Sequence, residues 1–327
     1  MTKFLLRRMA NWVVLVAIAT SLAYLLAAAS LNPRGNYENR RPAPPAAVVE
    51  QQLDALNAND KTPVMERYAT WAKGVLRGDF GLTLNNEPVS DEIGRRILVS
   101  LRLLLIATIL GGVLGIAAGA WSAVRQNKLG DHALTVLSFT LLATPPFVLA
   151  IILEIGAVRF NDAIGVSFFE YTGEFTPGLE GGFVTQATDR IQHLLLPSLT
   201  LILAEVAIVS RYQRSAMLDV LGADYVRTAQ AKGLTRSVAL RKHALRTALI
   251  PSATFIAYNV GLMLVGATFV EQVFGWHGMG ELFIDSVLQS DVNAVAAVSC
   301  LVAVLVLIAG LLSDLAYALL DPRVRVS

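Results

Sequence analysis

The chain contains little cysteine and few charged residues. Its 327 residues include one cysteine, Cys300, and charged residues make up 16% of the sequence. A single cysteine excludes an intramolecular disulfide framework and a cysteine-based metal cluster. Cys300 lies in an apolar run and is interpreted as a small buried residue. A soluble domain carries about a quarter charged residues, so the low charge content argues against a soluble protein.

Motifs for catalysis and for nucleotide binding are missing as well. The sequence contains no G-x-x-x-x-G-K-[ST], so no P-loop is available to hold a nucleotide. Neither H-E-x-x-H nor G-x-S-x-G occurs. The histidines are scattered, with no ligand partner at metal-site spacing, at positions His132, His193, His243 and His277. These absences disfavour an enzyme and predict no catalytic residue, no metal and no cofactor in this chain. The net charge of +2 gives no reason to expect nucleic-acid binding.

The abundant feature is apolar sequence, which makes up 54% of the chain and is concentrated in long runs. A helix needs about 20 apolar residues to cross the hydrocarbon core of a membrane. Runs of that length fall at about 9–31, 98–124, 133–158, 194–217, 249–270 and 294–320. They predict an all-α polytopic protein with about six transmembrane helices. The first run exceeds the roughly 7–15 residues of a signal-peptide core, so we interpret it as a retained span rather than a cleaved signal.

The runs divide the chain into four predicted parts. Residues 1–31 form a tail and the first span, 32–97 an extracytoplasmic segment, 98–320 the core with five spans, and 321–327 a short tail. Apolar residues recur at helical spacing over 48–58 and 64–76, which predicts short surface helices in the second part. Excess lysine and arginine lie at both termini and in the second–third and fourth–fifth loops. The positive-inside rule therefore predicts cytoplasmic termini in a cell membrane, with membrane lipid around the spans.

Two features of the apolar runs predict helix packing. Gly111, Gly115 and Gly119 are spaced by four residues, so they share one helix face and permit close approach of another helix. Pro145 and Pro146 interrupt the third run, and proline removes a backbone donor, so we expect a kink there. Both features concern architecture rather than chemistry.

Glu205 is the one carboxylate near the middle of a predicted span. An ionised side chain at that depth costs about 2.5–3.5 kcal/mol on insertion scales. One interpretation is that Glu205 faces a translocation pathway through the protein. The alternative is an intramembrane hydrogen bond to another helix, or a protonated side chain.

The fourth–fifth loop, about 219–246, is basic and only weakly apolar. Apolar residues recur every three to four positions, and Gly233 interrupts the pattern. This predicts two short amphipathic helices that are broken at the glycine and lie flat at the cytoplasmic surface. Such a helix has two interpretations, contact with lipid headgroups or docking into a groove on a partner protein.

The stretch 225–234, YVRTAQAKGL, resembles the EAA loop of type I ABC importer permeases, in the oligopeptide/dipeptide/nickel branch. The similarity continues through 243–246 and 249–251. It also includes GDFG at 78–81, Pro145-Pro146-Phe147, the R-x-x-R pattern of Arg211 and Arg214, and the stretches 270–274 and 278–280. In that family the loop is a coupling helix that sits in a cleft of an ATPase subunit. The resemblance implies coupling roles for Asp224, Tyr225, Arg227, Thr228, Ala229, Lys232, Gly233 and Leu234.

The resemblance also implies partners. They are a second homologous permease chain, two ATPase subunits that use ATP and magnesium, and an extracytoplasmic substrate-binding protein. Docking of that protein is expected at Asp79, Phe80, Trp276, His277 and Met279. His277 stands where the family often has proline, and 290–293 departs from the frequent R-D-Y-P, and both departures lie on the predicted outward face.

The leading hypothesis is therefore a non-catalytic permease subunit of a type I ABC importer for oligopeptides or dipeptides. The alternative is an ion-coupled secondary transporter, which would need ionisable residues in several spans. Peptide is chosen as the substrate because the resemblance is closest to the peptide branch.

Overall fold

The computed structural model of the chain describes residues 2–38 and 41–320, and within these ranges the architecture is helical, with a single isolated bridge between Leu82 and Pro88. In chain order the helices are α1 Thr2–Ser30, α2 Gly35–Glu38, α3 Ala46–Ala55, α4 Val64–Val75, α5 Val89–Val124, α6 Leu129–Ala143, α7 Pro146–Ile164, α8 Phe183–Leu221, α9 Asp224–Ala231, α10 over 236–273, α11 Met279–Leu288 and α12 Val292–Leu320. Single π-helical turns interrupt α5 at Ala107–Gly111 and α10 at Leu240–Leu245.

The described chain divides into two compact units. The first comprises residues up to Ser100 together with His277–Leu307, and the second comprises Leu101–Trp276 together with the residues from Ile308 onward. Within the first unit, α1 packs against α4, where Tyr24 stacks on Trp71 with ring centroids 4.6 Å apart. Both side chains are at most 5% exposed. The helices α3 and α4 lie where the apolar spacing predicts surface helices.

The GDFG element forms a tight turn in the first unit. Gly78 and Gly81 both have positive φ, +81° and +89°, a region that L side chains rarely adopt. A Cβ on Gly81 would also lie 2.9 Å from the side-chain nitrogen of Asn293 at the start of α12. The Asp79 carboxylate accepts a hydrogen bond of 2.9 Å from the Gly81 amide. Backbone geometry therefore requires both glycines, and close packing requires Gly81 as well.

The third apolar run does not form one kinked helix. α6 ends at Ala143, Thr144 is extended, and α7 begins at Pro146, so that the two helices are bent by 107°. Pro145 cannot donate to the preceding turn, and the residue before a proline avoids the α region. Two consecutive prolines therefore end one helix and begin the next. The expected kink within one helix was wrong, since the chain forms two separate helices there.

The helix α8 is central to the second unit and packs closely on α5. Added Cβ atoms at Gly111 and Gly115 would lie 2.7 Å from the Cβ atoms of Glu205 and Val209, and one at Gly119 would lie 2.3 Å from a backbone oxygen of α8. The glycines recur every four residues, as do their partners on α8. This is the face on which the glycine spacing predicts close packing.

Helices long and apolar enough to span a membrane include α1, α5, α8 and α12 in the described ranges, and the bent pair α6–α7 makes a fifth if it forms one span. The predicted run 249–270 lies inside α10, several of whose side chains fall outside the described residues. The fifth predicted span therefore corresponds to a 28-residue helical stretch, Arg246–Val273.

Candidate functional site

The helix α9 has well-defined ends. Ala223 precedes it in an extended conformation, and Asp224 places a carboxylate in the first turn, next to the positive end of the helix dipole. At the other end Gly233 has φ +94°. The Leu234 amide donates to the Ala229 carbonyl (3.2 Å) and the Gly233 amide to the Gln230 carbonyl (2.9 Å). These two bonds form a Schellman motif, in which the residue with positive φ is usually glycine.

One face of α9 is fixed to the rest of the second unit. Val226 and Ala229 are 1% and 7% exposed and pack in a cluster with Met217 of α8 and with Leu240 and Ala244 of α10. Leu234 packs against the same cluster. The helix therefore packs against residues of two longer helices, α8 and α10.

The opposite face of α9 is exposed. The side chains of Asp224 and Arg227 are 98% and 74% exposed, and Tyr225 is 43% exposed. Thr228 and Lys232 are also exposed. Of the residues predicted to couple, Ala229 and Leu234 thus hold the helix in place, whereas the exposed ones present acidic, aromatic, basic and hydroxyl groups at the surface.

The second predicted short helix is not separate. Arg236–Ala239 continues through the π-helical turn into Arg246–Val273, so the second half of the loop is the beginning of the long helix α10. The apolar spacing changes at the π-helical turn because one extra residue is accommodated there. α9 is consequently tied to a long helix by four residues only, 232–235, which include the turn at Gly233.

A buried ion pair lies one turn from the Met217 contact. The Arg214 guanidinium of α8 donates to both carboxylate oxygens of Asp131 at 2.7 and 2.8 Å. Asp131 is 1% exposed and also accepts hydrogen bonds from the Ser122 hydroxyl and the Asn127 amide. This network joins α5, the following loop, α6 and α8 beneath the α9 cluster. Bidentate arginine–carboxylate pairs of this kind fix geometry as well as charge.

Polar contacts also connect α8 to α10. Glu205 is 1% exposed and its Oε2 accepts a hydrogen bond from the Asn259 side chain, while its Oε1 has no partner in the described residues. Two turns further along α8, the Gln213 side chain accepts a hydrogen bond from the Ser252 hydroxyl. Of the two interpretations given for Glu205, the structure shows the hydrogen bond to another helix, and the carboxylate is buried.

The five residues expected to dock a binding protein differ in exposure. Asp79 and His277 are exposed, and the His277 ring lies 2.9 Å from Glu281. Phe80 is half-buried and packs against the start of α12. Trp276 and Met279 are 2% and 6% exposed, so their side chains are not available at the surface. Large apolar side chains favour burial over solvent, which accounts for the placement of these two.

The sequence did not single out Asp131 or Asn259. Each is a single polar residue in or next to an apolar run. Its role in the structure depends on a partner far along the chain, which for Asp131 is Arg214, 83 residues away. Their only sequence signal was the cost of a polar group inside a membrane-embedded helix, which implies a nearby hydrogen-bond partner without naming it.

Comparisons with known proteins agree on the family. The model of the family described as "binding-protein-dependent transport system inner membrane component" matches residues 113–326. The chain is 51% identical over 327 residues to the oligopeptide transport system permease protein OppB of Mycobacterium tuberculosis, and the match covers 100% of both chains.

More distant relatives point the same way. The oligopeptide transport system permease protein AppB of Bacillus subtilis is 37% identical and covers 84% of each chain. The dipeptide transport system permease protein DppB of Escherichia coli is 32% identical, covering 80% of this chain and 81% of its own. The solved inward-facing MetNI methionine ABC transporter contains a chain with a TM-score of 0.53 at 14% identity, covering 70% of this chain and 96% of that one, which shows the fold.

Proposed function

The chain belongs to the family of binding-protein-dependent transport system inner membrane components, and from this premise we propose that it carries oligopeptides or dipeptides across the cell membrane as one half of an importer's pathway. It is an integral membrane permease subunit of an ABC importer. An ion-coupled secondary transporter, the alternative left open by the sequence, is not supported by these similarities.

The observation that carries the proposal is the two-sided helix α9. Its inner face is packed onto α8 and α10, while its outer face exposes Tyr225, Arg227 and Thr228. A helix that is fixed on one side and exposed on the other suits docking into a groove on a partner. We assign that groove to a separate ATPase subunit, because this sequence has no P-loop.

The proposed importer contains, besides this chain, a second homologous permease chain, two ATPase subunits and an extracytoplasmic binding protein. ATP and magnesium are used by the ATPase subunits, and this chain performs no catalysis. Nucleotide on one side and loaded binding protein on the other would bias the pathway between two states, since each ligand favours the state to which it binds more tightly. Docking of the binding protein is assigned to the exposed Asp79 and His277 and to the half-buried Phe80.

The assembly is tested by purifying this chain from its native membrane in mild detergent and identifying what accompanies it. We expect a second permease and P-loop ATPase chains in fixed ratio, and ATP-dependent peptide uptake after reconstitution with the binding protein. A chain that purifies alone and transports without ATP would contradict the proposal.

The role of Glu205 is tested by two substitutions. Glu205→Gln keeps an acceptor for Asn259 at the same volume, so we expect uptake and thermal stability close to wild type. Glu205→Ala removes the acceptor and leaves Asn259 unpaired, which costs about 1–3 kcal/mol and lowers the unfolding midpoint. If Glu205→Gln folded normally but lost uptake of several peptides, the carboxylate itself would be needed in the pathway.

A further inference from the structure

A cavity of about 570 Å³ lies in the first unit where α1 meets the beginning of α4. One wall is apolar and consists of Leu25, Ala28 and Ala29, near the end of α1. The opposite wall is formed by residues 60–65 and by Arg67, which belong to the loop before α4 and to its first turn. The cavity therefore has a hydrocarbon side supplied by a membrane span and a polar side supplied by the segment that follows it.

Arg67 lines this cavity and lacks an anionic partner. The residue is 6% exposed, and its Nε–H has no hydrogen-bond acceptor. Over the part of the chain that the structure describes, its guanidinium forms no ion pair with a carboxylate. A buried charge is strongly unfavourable unless an opposite charge and hydrogen bonds compensate it. Arg67 is therefore a buried cation in need of an anion.

The other two charged residues of the cavity wall are already paired. Arg34 donates to the Asp60 carboxylate at 2.5 and 2.9 Å, and this contact lowers the pKa of Asp60. The Lys61 ammonium pairs with Glu50. The charge of Asp60 is thus neutralised by Arg34, which does not line the cavity. Within the described wall, the charge that remains unpaired is the positive charge of Arg67.

The start of α4 adds positive potential to the same wall. The helix begins at Val64 after Pro63, which provides no side-chain cap. The first amides of a helix carry a partial positive charge and lack partners within the helix. Val64 and Met65 both line the cavity, whereas Glu66, the acidic residue of the same turn, is not part of its lining. A guanidinium beside an uncapped helix N-terminus is a combination suited to a phosphate group.

We propose that this cavity binds the phosphate of a membrane phospholipid, with Arg67 paired to the phosphodiester and the α1 wall in contact with the glycerol and acyl carbons. The acyl chains would continue along α1, where Leu22 and Leu26 are 54% and 66% exposed. α1 is a candidate membrane span, so this exposed apolar surface is the one that lipid covers. The site is separate from α9 and does not depend on the transport proposal.

The test uses the full-length chain purified in uncharged detergent and measures bound lipid by native mass spectrometry. We expect one dioleoyl phosphatidylglycerol per chain, and no binding of dioleoylglycerol, which has the same acyl chains without phosphate. Arg67→Gln is expected to weaken lipid binding by about tenfold or more, because a charge-assisted hydrogen bond is lost. The exposed Arg77→Gln is the matched control and should bind as wild type.

Ala29→Trp provides a second variant, since it fills the cavity and leaves Arg67 unchanged. It should weaken lipid binding to a similar degree even if Arg67→Gln proves unstable. Equal lipid binding by wild type and both variants would overturn the site. Tight binding of inorganic phosphate, with no preference for the lipid, would overturn the assignment to phospholipid.

Discussion

Replacing Ala229 by proline is expected to abolish ATP-driven uptake while leaving the chain in the membrane. Proline at this position removes the amide that bonds to the Tyr225 carbonyl, and its ring clashes with that carbonyl, at a cost of about 3 kcal/mol or more in a helix interior. Ala229 also packs in the cluster with Met217 and Leu240. Both the shape of α9 and its attachment would be lost, so we expect uptake into proteoliposomes to fall to background.

A matched control is available in the same loop. Arg236→Pro places proline at the first helical position of α10, where its missing amide is tolerated, and Thr235 before it is already extended. We expect this variant to keep most of the wild-type uptake. Normal uptake by Ala229→Pro would show that α9 does not couple to the ATPase, and loss in both variants would indicate general misfolding of the loop.

Breaking the buried ion pair is expected to have the largest effect on stability. Arg214→Met leaves the Asp131 carboxylate buried without its guanidinium, and removing one partner of such a pair costs about 3–5 kcal/mol. The network joins α5, α6 and α8 directly beneath the α9 cluster. We therefore expect a large fall in the unfolding midpoint, measured by fluorescence-detected gel filtration after heating in detergent.

The neighbouring Arg211→Met is the control for this substitution. The Arg211 guanidinium lies 3.7 Å from the centroid of the Phe139 ring, a cation–π contact rather than an ion pair. Losing that contact costs about 0.5–2 kcal/mol. The double variant Asp131→Asn with Arg214→Met should recover part of the loss, because no unpaired charge remains. A midpoint for Arg214→Met equal to that of Arg211→Met would contradict the structural role of the pair.

Several features followed from the sequence because they are encoded locally. Apolar runs long enough to cross a membrane gave the helical class, and all but the run in α10 qualify as spans or as the bent pair. The four-residue spacing of Gly111, Gly115 and Gly119 defined one helix face. Gly233 marked the end of α9, since a residue with positive φ after a helical run is usually glycine. The YVRTAQAKGL stretch identified the family resemblance together with the other motifs, through their order and spacing along the chain.

Other features needed the tertiary structure. The two prolines predicted an interruption, but the 107° angle depends on what α6 and α7 pack against. The continuity of Arg236–Ala239 with α10 depends on a π-helical turn that periodicity cannot show. The burial of Trp276 and Met279 depends on neighbours that are distant in sequence.

The sequence by itself thus determined the membrane class, the glycine face and the position of the short helix α9, since each depends on residues within a few turns of one another. Only the tertiary structure decided which polar residues meet, as in the pairs Asp131–Arg214 and Glu205–Asn259, and that the buried Arg67 has no carboxylate partner within the described residues. A polar residue in an apolar setting needs a partner, and the identity of that partner is determined by how the helices pack.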